Sequence, residues 1–141
     1  MDRQALERLD DTGIGAWDSH RPDDFADLFA DDFVLRDTTI AEPITSKDGA
    51  RQYVQSWLTA FPDMRIRRTS RLVDEDAVAG EVEFTGTNSG PMVMGPAQLP
   101  PTGRTVVGRG AYFVRVADGK IVEFSAHPDA AGLMMQLGLM P

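Results

Sequence analysis

Apolar side chains in the first part of the chain recur at helical spacing, whereas those in the later part alternate with polar residues. The helical pattern begins near the N-terminus and predicts a first helix over residues 3–17. Gly13 and Gly15 weaken this helix and favour a bend or a close helix contact there. Its apolar positions are Leu6, Leu9, Ile14 and Trp17.

Two more helices are predicted before the pattern changes. One opens at Pro22, because proline suits the first helical position, and it ends at 31–32, where a strand over 33–38 follows. The other covers 47–60, with Ser46 as its N-cap. Its apolar face consists of Ala50, Tyr53, Val54, Trp57 and Leu58.

The remaining chain is predicted to be mainly strands. Four alternating runs are separated by turn residues, and a short helix over 130–139 closes the chain. The stretch 86–103 is too rich in Gly and Pro for a continuous strand, and a loop of this length is more often functional than idle. The four runs cover 64–73, 77–87, 105–116 and 120–126.

This order of elements predicts one α+β domain over residues 1–141. Helices on one face of an antiparallel or mixed sheet bury the face that they cover. The sheet must curl around the long helix 47–60 to enclose its inner face, which leaves an interior pocket between sheet and helices. No internal repeat and no linker composition divides the chain.

Composition limits the possible partners and chemistries. The formal net charge is −8, and such an acidic surface repels phosphate backbones, so no nucleic-acid partner is expected. Four arginines within 65–71 are interpreted as the polar face of an exposed strand. The absence of cysteine excludes disulfides and cysteine nucleophiles, and the two histidines lack acidic partners at metal-ligand spacing, so no metal is expected.

The same composition bears on where the protein resides. No apolar run approaches the length that spans a bilayer, so we expect no membrane association. The acidic N-terminus lacks the features of a signal peptide, which predicts a cytoplasmic location.

The C-terminal segment contains the most distinctive candidate chemistry. Asp129 precedes a Met- and Leu-rich helix, where it either caps that helix or, if buried against Leu133 and Met134, serves in proton transfer. His127 lies two residues earlier, so on an extended strand it points to the same face, where the two groups could share a proton. The alternative for His127 is an exposed residue at a strand end.

Short stretches along nearly the whole chain resemble the SnoaL-like polyketide cyclases, also called ester cyclases, of the nuclear transport factor 2-like superfamily. They occur in the family's order, and the ordered set is more specific than any one of them. Two positions differ, since a tryptophan is usual where Ser125 stands and His127 is not typical. The stretches are ADDF at 30–33, AFPD at 60–63, GTNSG at 86–90, PPTGR at 100–104, DGKIVE at 118–123, and Asp129 followed by QLG at 136–138.

The resemblance implies a cone-shaped fold with an interior pocket, without metal or organic cofactor, and a homodimer formed through the sheet. It further implies a cyclase of polyketide-type secondary metabolism that closes a ring on an apolar ketone, ester or polyene by acid/base chemistry. Asp129 would be the principal proton donor and acceptor, and His127 its partner or the stabiliser of an oxyanion.

The wider superfamily suggests a second candidate catalytic residue. Residues 30–37 resemble the segment of ketosteroid isomerases whose closing aspartate removes a proton beside a ketone, and Asp37 matches that aspartate. The second acid of those isomerases falls near Ala111, which has no carboxyl group. Asp37 would otherwise turn the chain together with Thr38 and Thr39.

Three functions therefore stay open: the cyclase, an isomerase, dehydratase or epoxide hydrolase that uses Asp37, and a non-catalytic binding or association module. The expected ligand is a hydrophobic small molecule. Met92 and Met94 suit a lid over the pocket, whereas Tyr53 and Trp57 suit the core as well as a ligand site. The residues expected to contact the ligand are Trp17, Tyr53, Trp57, Asn88, Met92, Tyr112 and Ser125.

Overall fold

The computed structural model describes residues 1–140 and forms a curved sheet that is covered on its inner face by helices. The helices are α1 (Arg3–Asp18), α2 (Pro22–Ala26), α3 (Lys47–Ala60) and α4 (Ala130–Gln136). The strands are β1 (Phe29–Asp37), β2 (Arg65–Asp74), β3 (Ala77–Thr87), β4 (Met92–Met94), β5 (Ala97–Leu99), β6 (Thr105–Ala117) and β7 (Lys120–Pro128).

The main sheet has the order β1-β7-β6-β3-β2. β1 pairs with β7 in parallel, and the other neighbours are antiparallel. β4 and β5 form a separate hairpin. The predicted fold class is confirmed: the domain is α+β, with a curved mixed sheet that does not close into a barrel.

The helices begin where the sequence supplies caps. Asp2 accepts a hydrogen bond from the backbone N–H of Ala5, and Ser46 accepts one from Gly49, which confirms the predicted N-cap. The buried side of α3 faces β1 and the hairpin, and its buried residues include Tyr53 and Val54. These contacts place α3 beside the edge strand β1 and the hairpin, and Trp57 of α3 reaches Phe84 on β3.

Two predicted boundaries in the first part of the chain were wrong, the end of α2 and the start of β1. α2 ends at Ala26 rather than at 31–32, because Phe29 is buried against Phe25 and already pairs with Ile121 in the sheet. A register shift between Phe29 and Val34 then leaves the intervening acidic residues exposed on the strand. The stretch 86–103 contains the β4–β5 hairpin rather than loop alone.

The closing helix is also shorter than predicted, because Gln136 ends α4 by bonding to the neighbouring strand. Its Oε1 accepts from the backbone N–H of Val107 at 2.7 Å, and its Nε2 donates to the carbonyl of Val107 at 2.8 Å. Pairing with β7 ends at Gly110, so the Gln136 side chain occupies hydrogen-bonding positions of β6 beyond the end of β7. Gly138 then takes φ +76°, which favours glycine, and buried Leu137 fixes the segment.

Candidate functional site

A cavity of about 110 Å³ lies between the sheet and helices α1 and α3. Apolar side chains from every inner strand make up most of its wall. Its deeply buried polar members are two carboxylates and two tyrosines: Asp10, Asp37, Tyr53 and Tyr112. Arg109 and His127 also belong to the lining.

The first buried pair joins Asp37 at the end of β1 to Tyr53 on α3. Tyr53 donates its hydroxyl hydrogen to Asp37 Oδ2 at 2.6 Å. The other oxygen, Oδ1, accepts from the backbone N–H of Thr39 at 2.7 Å and from the Thr39 hydroxyl at 2.6 Å. A carboxylate has about four acceptor positions, so Asp37 keeps one position free, on Oδ2.

The position of Asp37 combines the two roles that the sequence left open. The Thr39 bonds make it part of the turn after β1. It also lines the cavity, and only 5% of its surface is exposed. Burial, together with the charge of Asp37 and the hydrogen bond to it, raises the pKa of Tyr53 well above 10. Tyr53 therefore remains a neutral phenol at any physiological pH.

The second buried pair joins Tyr112 on β6 to Asp10 on α1. Tyr112 donates to Asp10 Oδ1 at 2.6 Å. Asp10 Oδ2 accepts from Arg68 at 2.9 Å and from Arg71 at 3.4 Å, and Asp10 is 5% exposed. Two guanidinium groups thus compensate the burial of this carboxylate. Burial and the contact with Asp10 raise the pKa of Tyr112.

Glycine makes room for this second pair. Gly80 on β3 is the cross-strand partner of Tyr112, and a Cβ at Gly80 would lie 2.6 Å from the hydroxyl end of the Tyr112 ring. The ring therefore lies directly over the glycine backbone, which lets the hydroxyl reach α1.

Both tryptophans of the chain line the cavity. Trp17 contacts Tyr53 edge to face, with ring centroids 5.7 Å apart. Trp57 meets Phe84 edge to face at 5.8 Å. The four predicted ligand-contact residues of aromatic type, including Tyr112, are therefore all brought together at the cavity.

His127 and Asp129 lie at the outside of this cavity. His127 is exposed, lines both the cavity and an adjoining polar pocket, and contacts Phe113 edge to face at 6.4 Å. Asp129 lines that polar pocket, is exposed, and caps α4 by accepting from Gly132 at 2.9 Å. Of the two roles left open for Asp129, the structure shows the helix cap, and the cap holds its carboxylate toward solvent.

Three other predicted ligand contacts lie away from the cavity lining. Asn88 is buried, donates to the carbonyls of Ala60 and Gly90, and accepts from Thr102, so it holds the 86–103 segment against α3. Met92 is buried without lining the cavity. Ser125 alternates with the cavity-lining Phe124 and Ala126 and likewise does not line it.

Asp10 is the site residue that the sequence analysis missed. It lies four residues after Leu6 and four before Ile14, on the face of α1 that the apolar spacing already marked as buried. An acidic residue on the apolar face of a helix was therefore the available signal. Its partners, Arg68 and Arg71, belong to the arginine cluster that was interpreted as an exposed strand face. That interpretation was wrong for these two, since both bind carboxylates of α1.

Within residues 1–140, no group of three or more histidine and acidic side chains is arranged to hold a metal ion. Over the same residues, no helix has the length and apolarity that crossing a membrane requires.

The family model of the SnoaL-like polyketide cyclases matches residues 7–137. The chain belongs to this family. Membership supports an activity of the cyclase or isomerase type and leaves the substrate and mechanism open. No curated protein matches the chain.

Solved structures share the fold over almost the full chain. AclR from Streptomyces galilaeus, for which a hydroxylase activity has been proposed, is 24% identical over 96% of both chains, with a TM-score of 0.82. IdmH from Streptomyces antibioticus, proposed to be a polyketide cyclase, is 26% identical over 94% of this chain and 97% of its own, with a TM-score of 0.78. A Catenulispora acidiphila protein with a ketosteroid isomerase-like fold is 17% identical over 94% and 93%, with a TM-score of 0.76.

Proposed function

We propose that this SnoaL-like protein is a cofactor-independent cyclase of polyketide-type secondary metabolism, which closes a ring on an apolar ketone, ester or polyene. The observation that carries the proposal is the buried Asp37 carboxylate, which lines an apolar cavity and retains one unused acceptor position. A buried base with apolar walls suits proton abstraction from a substrate that must first leave water.

Asp37 would act as the base. Its carboxylate removes a proton from the carbon next to a substrate carbonyl, and the resulting enolate carbon forms a bond to a second carbonyl carbon of the same chain. The oxygen of that second carbonyl then takes up a proton, which protonated Asp37 or water returns. The product is an isomer of the substrate, so no oxidant, reductant or cofactor is consumed.

The indole N–H groups of Trp17 and Trp57, which are the neutral donors in the cavity lining, would stabilise the oxygen on which charge develops. The side chains of Arg109 and His127 lie on the outer face of the sheet, where Arg109 contacts Glu83 at 3.6 Å and His127 contacts Phe113. Hydrogen-bond donors placed near a developing oxyanion lower the barrier electrostatically. The apolar walls add to catalysis by holding a flexible chain in a folded, reactive shape.

Asp129 is the alternative base, at the position that the family resemblance favours. Geometry supports Asp37 instead, since Asp129 is exposed and caps α4. Asp129 lines a polar pocket on the outer face of the sheet together with Arg109 and His127, so we assign the proton transfer to Asp37.

Separate Asp37→Asn and Asp129→Asn variants test this assignment, with Asp63→Asn as a matched control outside the cavity lining. Linear polyketide esters, both the poly-β-ketone and a form with one ketone reduced to a hydroxyl, serve as substrates, and the product is followed by chromatography and mass. We expect Asp37→Asn to lower turnover by about 100-fold or more, and the other two changes to lower it by less than about 10-fold. Full activity in Asp37→Asn would contradict the proposed base.

The second candidate is an isomerase, dehydratase or epoxide hydrolase that uses Asp37. Product mass separates the cyclase from the dehydratase and the hydrolase, and detection of the new ring by nuclear magnetic resonance separates it from an isomerase, whose product has the same mass. The burial of Asp37 beside apolar walls favours this class as well. Aldol closure leaves the mass unchanged and forms a ring, whereas dehydration removes water and epoxide hydrolysis adds it. A non-catalytic binding module predicts ligand binding that persists in Asp37→Asn without turnover of any substrate by the wild type.

A further inference from the structure

The hydrogen atoms of both cavity tyrosines are already committed to carboxylates. Tyr53 donates to Asp37 and Tyr112 donates to Asp10, each at 2.6 Å. The raised pKa of each tyrosine keeps that hydrogen in place at neutral pH. Each hydroxyl therefore presents only oxygen lone pairs to anything else that approaches it.

The two carboxylates also present acceptors alone. Asp37 and Asp10 are surrounded by donors from Thr39, Arg68 and Arg71, and an ionised carboxylate has no hydrogen to give. The indole N–H groups of Trp17 and Trp57 are neutral donors in the same lining. A hydrogen bond to a charged group is worth about twice a neutral one, so the acceptors dominate recognition inside the cavity.

We propose that the cavity selects ligands that carry a hydrogen-bond donor, a hydroxyl or enol group, over ligands of the same shape whose polar atoms only accept. This inference rests on the cavity being the site proposed above. A ketone oxygen inside would face lone pairs and negative charge, whereas a hydroxyl or enol can donate to the unused position on Asp37. An enol that loses this proton to Asp37 gives the same enolate as proton removal from the neighbouring carbon. Anionic ligands would be disfavoured by the same negative charge.

The substrate would then enter in a fixed orientation. Its hydroxyl or enol end lies beside the Asp–Tyr pairs, and its carbonyl or ester end lies beside the indole N–H groups of Trp17 and Trp57, which can donate. The substrate class is therefore a partly reduced or enolised polyketide chain rather than one whose inner oxygens are all ketones.

Amide variants of the carboxylates reverse the hydrogen bonds in a predictable way. In Asp37→Asn, the backbone N–H of Thr39 can only donate, so it retains the amide oxygen at the Oδ1 position. The amide NH₂ then faces the Tyr53 oxygen, and the Tyr53 hydrogen is released toward the cavity. The same reversal is expected in Asp10→Asn. Arg68 and Arg71 can only donate, so they retain the amide oxygen at the Oδ2 position, and the NH₂ group must face Tyr112.

The test compares 2-decalol with 2-decalone, which share a skeleton and undergo no cyclisation, by isothermal titration calorimetry. We expect wild-type protein to bind the alcohol about tenfold more tightly than the ketone. In Asp37→Asn and in Asp10→Asn, the ratio should fall to about one or invert. Asp63→Asn should keep the wild-type ratio, because the Asp63 carboxylate of the wild type accepts from Thr87 away from the cavity lining. Circular dichroism checks that each variant is folded.

The proposed selectivity for hydrogen-bond donors is already testable with the wild type. It is overturned if the wild type binds the two compounds equally, binds the ketone more tightly, or binds neither. An unchanged ratio in a folded amide variant would overturn it as well. These outcomes are separate from the proposed function, since the decalin pair reports binding selectivity and the polyketone assay reports turnover. Tryptophan emission gives a further check on the binding site. If ligand changes the emission of the wild type but not that of Trp17→Phe, the ligand lies at this cavity, which Trp17 lines.

Discussion

The hydroxyl of Tyr112 lies 2.6 Å from the carboxylate of Asp10 and thereby connects the middle of the sheet to the N-terminal helix. In the lining of the same cavity, Tyr53 makes the equivalent bond to Asp37 and connects α3 to the edge strand β1. Each bond fixes one helix over the sheet and also sets the polarity of one cavity wall. Stability and ligand recognition therefore depend on the same two contacts.

Replacing Gly80 with alanine should break the Tyr112–Asp10 contact. The new Cβ would lie 2.6 Å from the Tyr112 hydroxyl end, so the ring must move. We expect a loss of about 1–3 kcal/mol in the free energy of unfolding, as is usual for an overpacked core. Urea unfolding measures it. Gly15→Ala is the matched control, because nothing lies within 4 Å of its Cβ, and it should leave stability unchanged or raise it slightly.

Of the two buried carboxylates in the cavity lining, the sequence predicted Asp37 but not Asp10. Helical spacing alone places residue 10 on the buried face of α1, but only the register of β2 against α1 brings Arg68 and Arg71 to neutralise it. That register is set by long-range packing. Asp37 was predictable because its neighbours in sequence match a family segment.

Both tyrosines of the chain should resist ionisation until the protein unfolds. Their pKa values are raised above 10, mainly by burial. A raised folded pKa contributes stability that is fully present below pH 10 and lost as the pH rises through the folded value. Tyrosinate absorbance should therefore appear above pH 10 together with the loss of far-ultraviolet circular dichroism. A simple titration near pH 10 in folded protein would contradict the burial of these hydroxyls.

Gln136 should contribute to stability without contributing to ligand binding. Its side-chain amide makes two hydrogen bonds to the backbone of Val107, and neither residue lines the cavity. Gln136→Ala should lower the free energy of unfolding by about 1–2 kcal/mol and leave the affinity for 2-decalol unchanged. Gln55→Ala is the control, since within residues 1–140 the exposed Gln55 side chain bonds only to Thr59 on its own helix, and its effect should stay within about 0.5 kcal/mol.

The C-terminal segment illustrates what a sequence motif can and cannot predict. The element boundaries near Asp129 and the turn at Gly138 follow from capping and glycine chemistry. The orientation of the Asp129 carboxylate does not, because a cap and a buried base have the same local sequence. Its exposure results from where β7 ends on the curved sheet, a property of the whole fold.

We expect the protein to form a homodimer through the outer face of its sheet. Leu72 and Phe113, which are 77% and 58% exposed, lie on either side of Ala79 in one cross-strand row of that face. Exposed apolar side chains in a row are typical of an association surface, and a charge placed there should prevent close packing. Phe113→Glu should therefore give a monomer by light scattering after size-exclusion chromatography, while Val93→Glu on the β4–β5 hairpin should leave the dimer intact. A monomeric wild type would refute the expectation, and a dimer that survives Phe113→Glu would place the interface elsewhere.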